Sequence, residues 1–133
     1  HFSLWCMMAA PLMAGNDLRN MDETTRKILT NKEVIAIDQD PLGKQGKLRL
    51  TYNNGELEIY RKILEDGFAY LFFNRSDEPY ELDITWPMLE VEDDYKVRDV
   101  WEHKDLSTTI KKQDIKYMLN PHAVKMFRLV KND

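Results

Sequence analysis

From Lys47 onward hydrophobic and polar residues alternate in twos: Leu48, Leu50 and Tyr52 against Lys47, Arg49 and Thr51, then Leu57 and Ile59 against Glu56 and Glu58. Asn53-Asn54-Gly55 separates the two runs, and because these residues tolerate positive φ the stretch predicts a β-hairpin. Further strands are expected at residues 68–74, 80–84, 95–102, 109–112, 114–119 and 124–130. Turn clusters such as Glu65-Asp66-Gly67 and Ser76-Asp77-Glu78-Pro79 stand between them. Seven or eight short strands at that spacing predict an antiparallel sandwich. There is no internal repeat and no low-complexity tract.

Before Lys47 the period is helical. Phe2, Leu4, Trp5, Cys6, Met7, Met8, Ala9 and Ala10 are apolar around most of a helical wheel, which requires burial on nearly all sides. A short apolar run, residues 11–14, breaks at Gly15 into Asn16, Asp17, Leu18 and Arg19. An amphipathic helix is expected from Asp22 to about Thr30, with Asp22 and Glu23 in its first turn and Arg26 and Lys27 later, the order a helix dipole favours. Asn31 is placed to cap a further helical segment, residues 32–37, that carries Val34, Ile35 and Ile37 and stops at Asp40, Pro41 and Gly43. A strand, a polar loop and a helix in that order make one unit of an α/β fold.

Two strings in this region carry a resemblance. HFSLWCMMAAPLMAGNDLRNM and ILTNKEVIAIDQDPLGKQG resemble, residue by residue, the retaining α-galactosidases and α-N-acetylgalactosaminidases of glycoside hydrolase family 27, the melibiase family. The likeness is strong to about Gly46, weaker beyond, and spans the whole chain. It implies a mixed architecture: the C-terminal end of a (β/α)8 barrel (a helix, the last strand and the last helices), then an antiparallel Greek-key β-sandwich. The expected domains are residues 1–43, an incomplete barrel end, and residues 44–133, the sandwich. A parallel barrel closes with eight strands and the chain offers one for it, so the earlier units are expected upstream of His1, with the chain a fragment.

The implied activity is hydrolysis of terminal α-D-galactosyl residues with retention. That chemistry needs two carboxyl groups about 5–5.5 Å apart, a nucleophile and an acid/base. In the family the nucleophile lies in a Lys-x-Asp motif on a middle strand and the acid/base Asp on a later one, both upstream of these residues; Lys116-Tyr117-Met118 is the nearest string and lacks the Asp. The catalytic, substrate-binding and metal sets are therefore all expected to be empty in this chain, with no cofactor, and the chain alone is expected to be inactive. The alternative is a non-catalytic carbohydrate-binding or interaction module built on the sandwich; a chain without a stable fold is a third reading. The family includes β-L-arabinopyranosidases, and the residues that discriminate substrates lie mostly upstream.

The remaining polar features have structural readings. Asn16, Asp17 and Arg19 follow a barrel strand at its catalytic face, yet an Asp17–Arg19 rim pair accounts for them. Asp38 and Asp40 read as turn acceptors, and Glu90, Glu92, Asp93 and Asp94 as a solvated loop lacking calcium-loop spacing. His1, His103 and His122 have no metal spacing. Trp101, in phase with Tyr95 and Val97, reads as core rather than a sugar platform, as do Trp5 and Trp86. Asn74-Arg75-Ser76 is a sequon, as readily a chance one.

The chain has 23 acidic against 19 basic residues in 133, net −4, which offers no footprint for nucleic acid or an anionic membrane. Its longest apolar stretch, residues 4–14, is shorter than the roughly 20 residues of a membrane helix. Cys6 is the single cysteine, which excludes an intrachain disulfide. The expected partner is an α-galactoside, met through the upstream barrel, together with homo-oligomer formation by the intact enzyme. No signal peptide opens the sequence; a secreted, periplasmic or lysosomal setting is implied by resemblance alone.

Overall fold

The computed structural model describes residues 31–132. The expected helices and strand within residues 1–30, with Asn16, Asp17, Arg19, Trp5 and His1, lie outside them. Asn31 caps α1 (Lys32–Asp38) as expected, its side-chain oxygen accepting from Glu33 N and Val34 N. Eight strands follow: β1 (Lys47–Tyr52), β2 (Leu57–Leu64), β3 (Gly67–Asn74), β4 (Tyr80–Thr85), β5 (Tyr95–Asp99), β6 (Lys104–Thr108), β7 (Asp114–Leu119) and β8 (Val124–Lys131), with a 3-10 turn at Pro87–Leu89.

All pairings are antiparallel. One sheet has six strands in the order β1-β2-β3-β8-β5-β6, and a second has β4 and β7. The chain leaves the large sheet after β3, returns at β5, leaves again after β6, and comes back at β8 between β3 and β5. Among the described residues the fold is thus an antiparallel β-sandwich with one α-helix.

The core between the sheets forms because alternate residues of each strand point inward. Leu57, Ile59, Tyr70, Phe72, Phe127 and Leu129 from the large sheet meet Leu82, Ile84, Ile115 and Leu119 from the small one. Trp86, 3% exposed, sits at the centre with Tyr70, Phe72 and Phe127 at ring distances of 5.5, 6.5 and 6.1 Å, all near edge-to-face. Such pairs add about 0.5–1.5 kcal/mol each beyond area burial. A second cluster lies on the outer face of the large sheet, where Leu64, Ala69, Leu71, Val100 and Met126 pack with Val34 and Ile37 of α1. β3 is consequently covered on both faces, all of Ala69–Asn74 being buried.

Two expected strands and the phase of Trp101 are corrected, and the alternation in β1 does not bury its leucines. Leu48 and Leu50 are 49% and 38% exposed, because β1 is the edge strand and a bulge between them pairs Leu50 with inward Ile59 but Leu48 with outward Tyr60. The expected strand 95–102 stops at Asp99: Asp99 Oδ1 accepts from Trp101 N and Glu102 N, and His103 takes φ 54°, turning the chain. Trp101 therefore lies beyond the strand and packs against the outer cluster, not in phase with Tyr95 and Val97 in the inner one. The expected strand 109–112 is a turn. Thr109 closes the β5–β6 hairpin by bonding Tyr95 and Asp93, and the strand lies earlier, at Lys104–Thr108.

Gly67 opens β3 where any side chain would collide: a Cβ there would stand 1.8 Å from the Leu129 carbonyl oxygen. Gly43 has open space but φ +60°. Gly67→Ala is expected to lower stability by about 3 kcal/mol through forced separation of β3 and β8. Gly43→Ala should cost only about 1 kcal/mol of backbone strain. Urea midpoints of the two variants check the order.

Candidate functional site

The outer face of the large sheet, where α1 is seated, is the richest polar assembly among the described residues. Helix α1 has seven residues, too short to persist alone, so its place is set by tertiary contacts. Apolar contact comes from Val34 and Ile37, both 0% exposed.

Four polar links fix the helix. At its start Asn31 Nδ2 donates to the Val100 carbonyl at 3.2 Å while its oxygen caps the first turn. At its end Lys62, on β2 and 0% exposed, donates to the Ile37 carbonyl at 2.6 Å and the Asp38 carbonyl at 3.4 Å. These are carbonyls that a helix C-terminus leaves without intrahelical partners, and a cation there also suits the dipole. Beyond the helix Asp40, 8% exposed, accepts Leu42 N and reaches across to Glu65 N of the β2–β3 turn with both oxygens, at 3.2 and 3.1 Å. On the flank Glu33 accepts from Arg98 Nε and contacts His103 Nδ1, and Arg98 also donates to Asp105 at 2.9 Å.

The protonation states follow from these contacts. Burial alone would raise the Glu33 carboxyl, but hydrogen bonds and charge from Arg98 and His103 outweigh it and hold the group below its usual 4.5. Asp38 is raised by burial, partly offset by the Lys62 charge. Tyr60 is pushed up to about 12 by burial and by donating to Glu58 at 2.8 Å.

The acids singled out in the sequence are dispersed. Asp40 is a turn acceptor as expected, whereas Asp38 Oδ1 is buried with no hydrogen bond among the described residues. In the acidic run, Glu90 ion-pairs with Arg49, Asp93 gives its carbonyl to Thr109, and Asp94 accepts from Asn132. His103 and His122 lie apart, each against one carboxylate, Glu33 and Asp77. Among the described residues no group of three or more His, Cys, Asp or Glu is placed to hold a metal.

The sequon asparagine is structural. Asn74 is 0% exposed, its amide nitrogen donates to the Glu78, Leu119 and Asn120 carbonyls, and its oxygen accepts Ser76 N and Oγ. A glycan on that nitrogen is incompatible with this fold, because the nitrogen's hydrogens are already donated to backbone carbonyls.

Lys62 is the functional residue that sequence reasoning missed. The available signal is weak: consecutive charges Arg61-Lys62 in a strand point to opposite faces, so at least one of them faces any layer that packs on the sheet.

Fold and site together define an antiparallel β-sandwich that holds a short helix on the outer face of its large sheet. A family model described as the alpha galactosidase C-terminal beta sandwich domain matches residues 54–129, and one described as alpha galactosidase A matches residues 1–40. The chain therefore belongs to the α-galactosidases of glycoside hydrolase family 27, as a C-terminal part that carries their β-sandwich. It is 42% identical to alpha-galactosidase A of Cellvibrio japonicus, over 97% of this chain and 34% of that protein. Among solved structures it superposes on alpha-galactosidase I from Mortierella vinacea with a TM-score of 0.82 at 24% identity, over 99% of this chain and 34% of that one, a likeness of fold. It also superposes on a β-L-arabinopyranosidase of this glycoside hydrolase family from Geobacillus stearothermophilus, TM-score 0.79 and 27% identity, over 97% of this chain and 28% of that one. The chain spans about a third of the length of the curated relatives it matches.

Two outcomes are expected. Lys62→Met, which keeps the stem but strands the Ile37 carbonyl, should cost about 1–3 kcal/mol, and Lys62→Ala more because it adds a cavity, both read from urea midpoints. Glu33 stabilises the fold because its folded pKa is depressed: the contribution is complete above about pH 4.5, its ordinary value, and is lost as pH falls through the lower folded value. Melting temperature measured from pH 7 down to pH 3 should therefore fall less steeply in Glu33→Gln than in the wild type.

Proposed function

We propose that the chain is the C-terminal portion of a retaining α-galactosidase that removes terminal α-D-galactosyl residues from galactosides. Residues 1–43 complete the catalytic (β/α)8 barrel and residues 44–133 form the sandwich behind it. The observation that carries this reading is the continuous family match through both halves, residues 1–40 and 54–129, in a chain about a third as long as its relatives. The two carboxylates of the reaction belong upstream, and the α-galactoside meets the enzyme there.

The contribution of these residues is mechanical. Helix α1 lies in the part assigned to the barrel end, and its seat on the large sheet through Asn31, Lys62 and Asp40 supports a rigid joint between the two domains. A joint of that kind fixes the last barrel elements, and positioning within a fraction of an ångström governs catalytic groups. The Geobacillus relative favours a family scaffold on which upstream residues select the sugar.

The test is activity with an aryl α-galactoside. The 133-residue chain is expected to give no turnover, and the same chain extended upstream through a complete barrel is expected to be active. Turnover by the isolated chain, or an inactive but folded extended protein, would contradict the assignment.

A further inference from the structure

The small sheet has two strands where the large sheet has six, so it cannot cover the inner face as far as β6. Beside β7 this leaves a groove of about 210 Å³ between the sheets. The apolar base of the groove includes Leu106 and Tyr117, half-buried, and Ile115 behind them; Ser107, Lys112 and Asp114 stand at its rim and are exposed. Among the described residues no hydrogen bond or ion pair engages the side chains of these three, which leaves their polar ends open to a ligand. The groove opens between the sheets, away from the outer face that seats α1.

We infer that this groove is a binding site for a single neutral hexopyranose ring. Size sets the first limit: pockets for drug-sized ligands run from about 300 to 1,000 Å³, so this one takes one ring and not an oligosaccharide. Charge sets the second. One ammonium and one carboxylate give the rim no net charge, which disfavours an anionic or cationic ligand, and a wholly apolar ring would gain nothing from the donor and acceptors that rim the groove. A pyranose satisfies each requirement, with its C–H face on Leu106 and Tyr117 and its hydroxyls accepting from Lys112 and donating to Asp114. Lys125 lies 4.6 Å over the Tyr117 ring, holding that ring in place.

The inference does not depend on the catalytic assignment, and the chain as it stands contains none of the carboxylates assigned to that chemistry. The experiment is a titration of the isotope-labelled 133-residue chain with galactose and separately with glucose, followed by amide and indole resonances. The same titration is repeated on the upstream-extended protein. Saturable shifts centred on Leu106, Ser107, Asp114 and the Trp86 indole are expected, with half-saturation in the millimolar range, on the order of −4 kcal/mol. Asp114→Ala, at an exposed position, should weaken binding at least tenfold in both forms, while Lys44→Ala on the far edge should leave it unchanged. The inference is overturned if neither form shows a saturable shift with either sugar. Shifts that are indifferent to Asp114→Ala would overturn it equally.

Discussion

A lysine ammonium enclosed within the protein and aimed at the end of a helix is the constraint around which these residues are arranged. Lys62 is 0% exposed and donates to a backbone carbonyl, Ile37 O, at 2.6 Å. Removing an ammonium from water is costly, and only a close set of acceptors offsets it. The α1 C-terminus supplies such acceptors at the one place where a helix has carbonyls to spare. Moving the helix away would leave the cation without them and the carbonyls without a donor. Lys62 thus makes the position of α1 specific, whereas Val34 and Ile37 make it favourable. The distinction matters, because apolar contact alone tolerates sliding.

The two faces of the large sheet are used differently. The inner face of the large sheet is spent on its own core with β4 and β7, centred on Trp86. The outer face is free to take another element, and the polar links at both ends of α1 set its register. Asn74 plays a related part at the other end of β3, tying together the β3–β4 and β7–β8 connections with three carbonyl contacts. In both cases a buried polar group bonded to carbonyls of neighbouring segments favours a single arrangement.

Much of this was legible in the sequence, and the exceptions share a cause. The hairpin at Asn53-Asn54-Gly55, the Asn31 cap and the Asp40 turn are local, and short-range rules suffice for them. The bulge that turns Leu48 outward depends on where β1 pairs with β2, which alternation alone cannot show. β6 escaped notice because an exposed edge strand such as Lys104–Thr108 has one apolar residue, Leu106, while Thr109 and Ile110 next to it have the composition of a strand but lie in a turn. Trp101 reads as core in phase with Tyr95 and Val97, yet it is half-buried against the outer cluster, since the chain turns after Asp99. Lys62 reads as a surface charge until the sheet is known to be covered on both sides. The candidate cluster Asn16, Asp17 and Arg19 falls outside the described residues, and its rim-pair reading stands as an expectation.

The claim that α1 and the sandwich form one mechanical unit is tested most directly by native-state hydrogen exchange on the upstream-extended protein. The amides of Ile35 and Gln39, which bond within α1 and at its cap, should exchange with the same opening free energy as those of Leu71 and Phe72 on β3, and Lys62→Met should lower the first pair selectively. Exchange of the α1 amides by a separate low-energy opening in the unaltered protein, with β3 still protected, would contradict it.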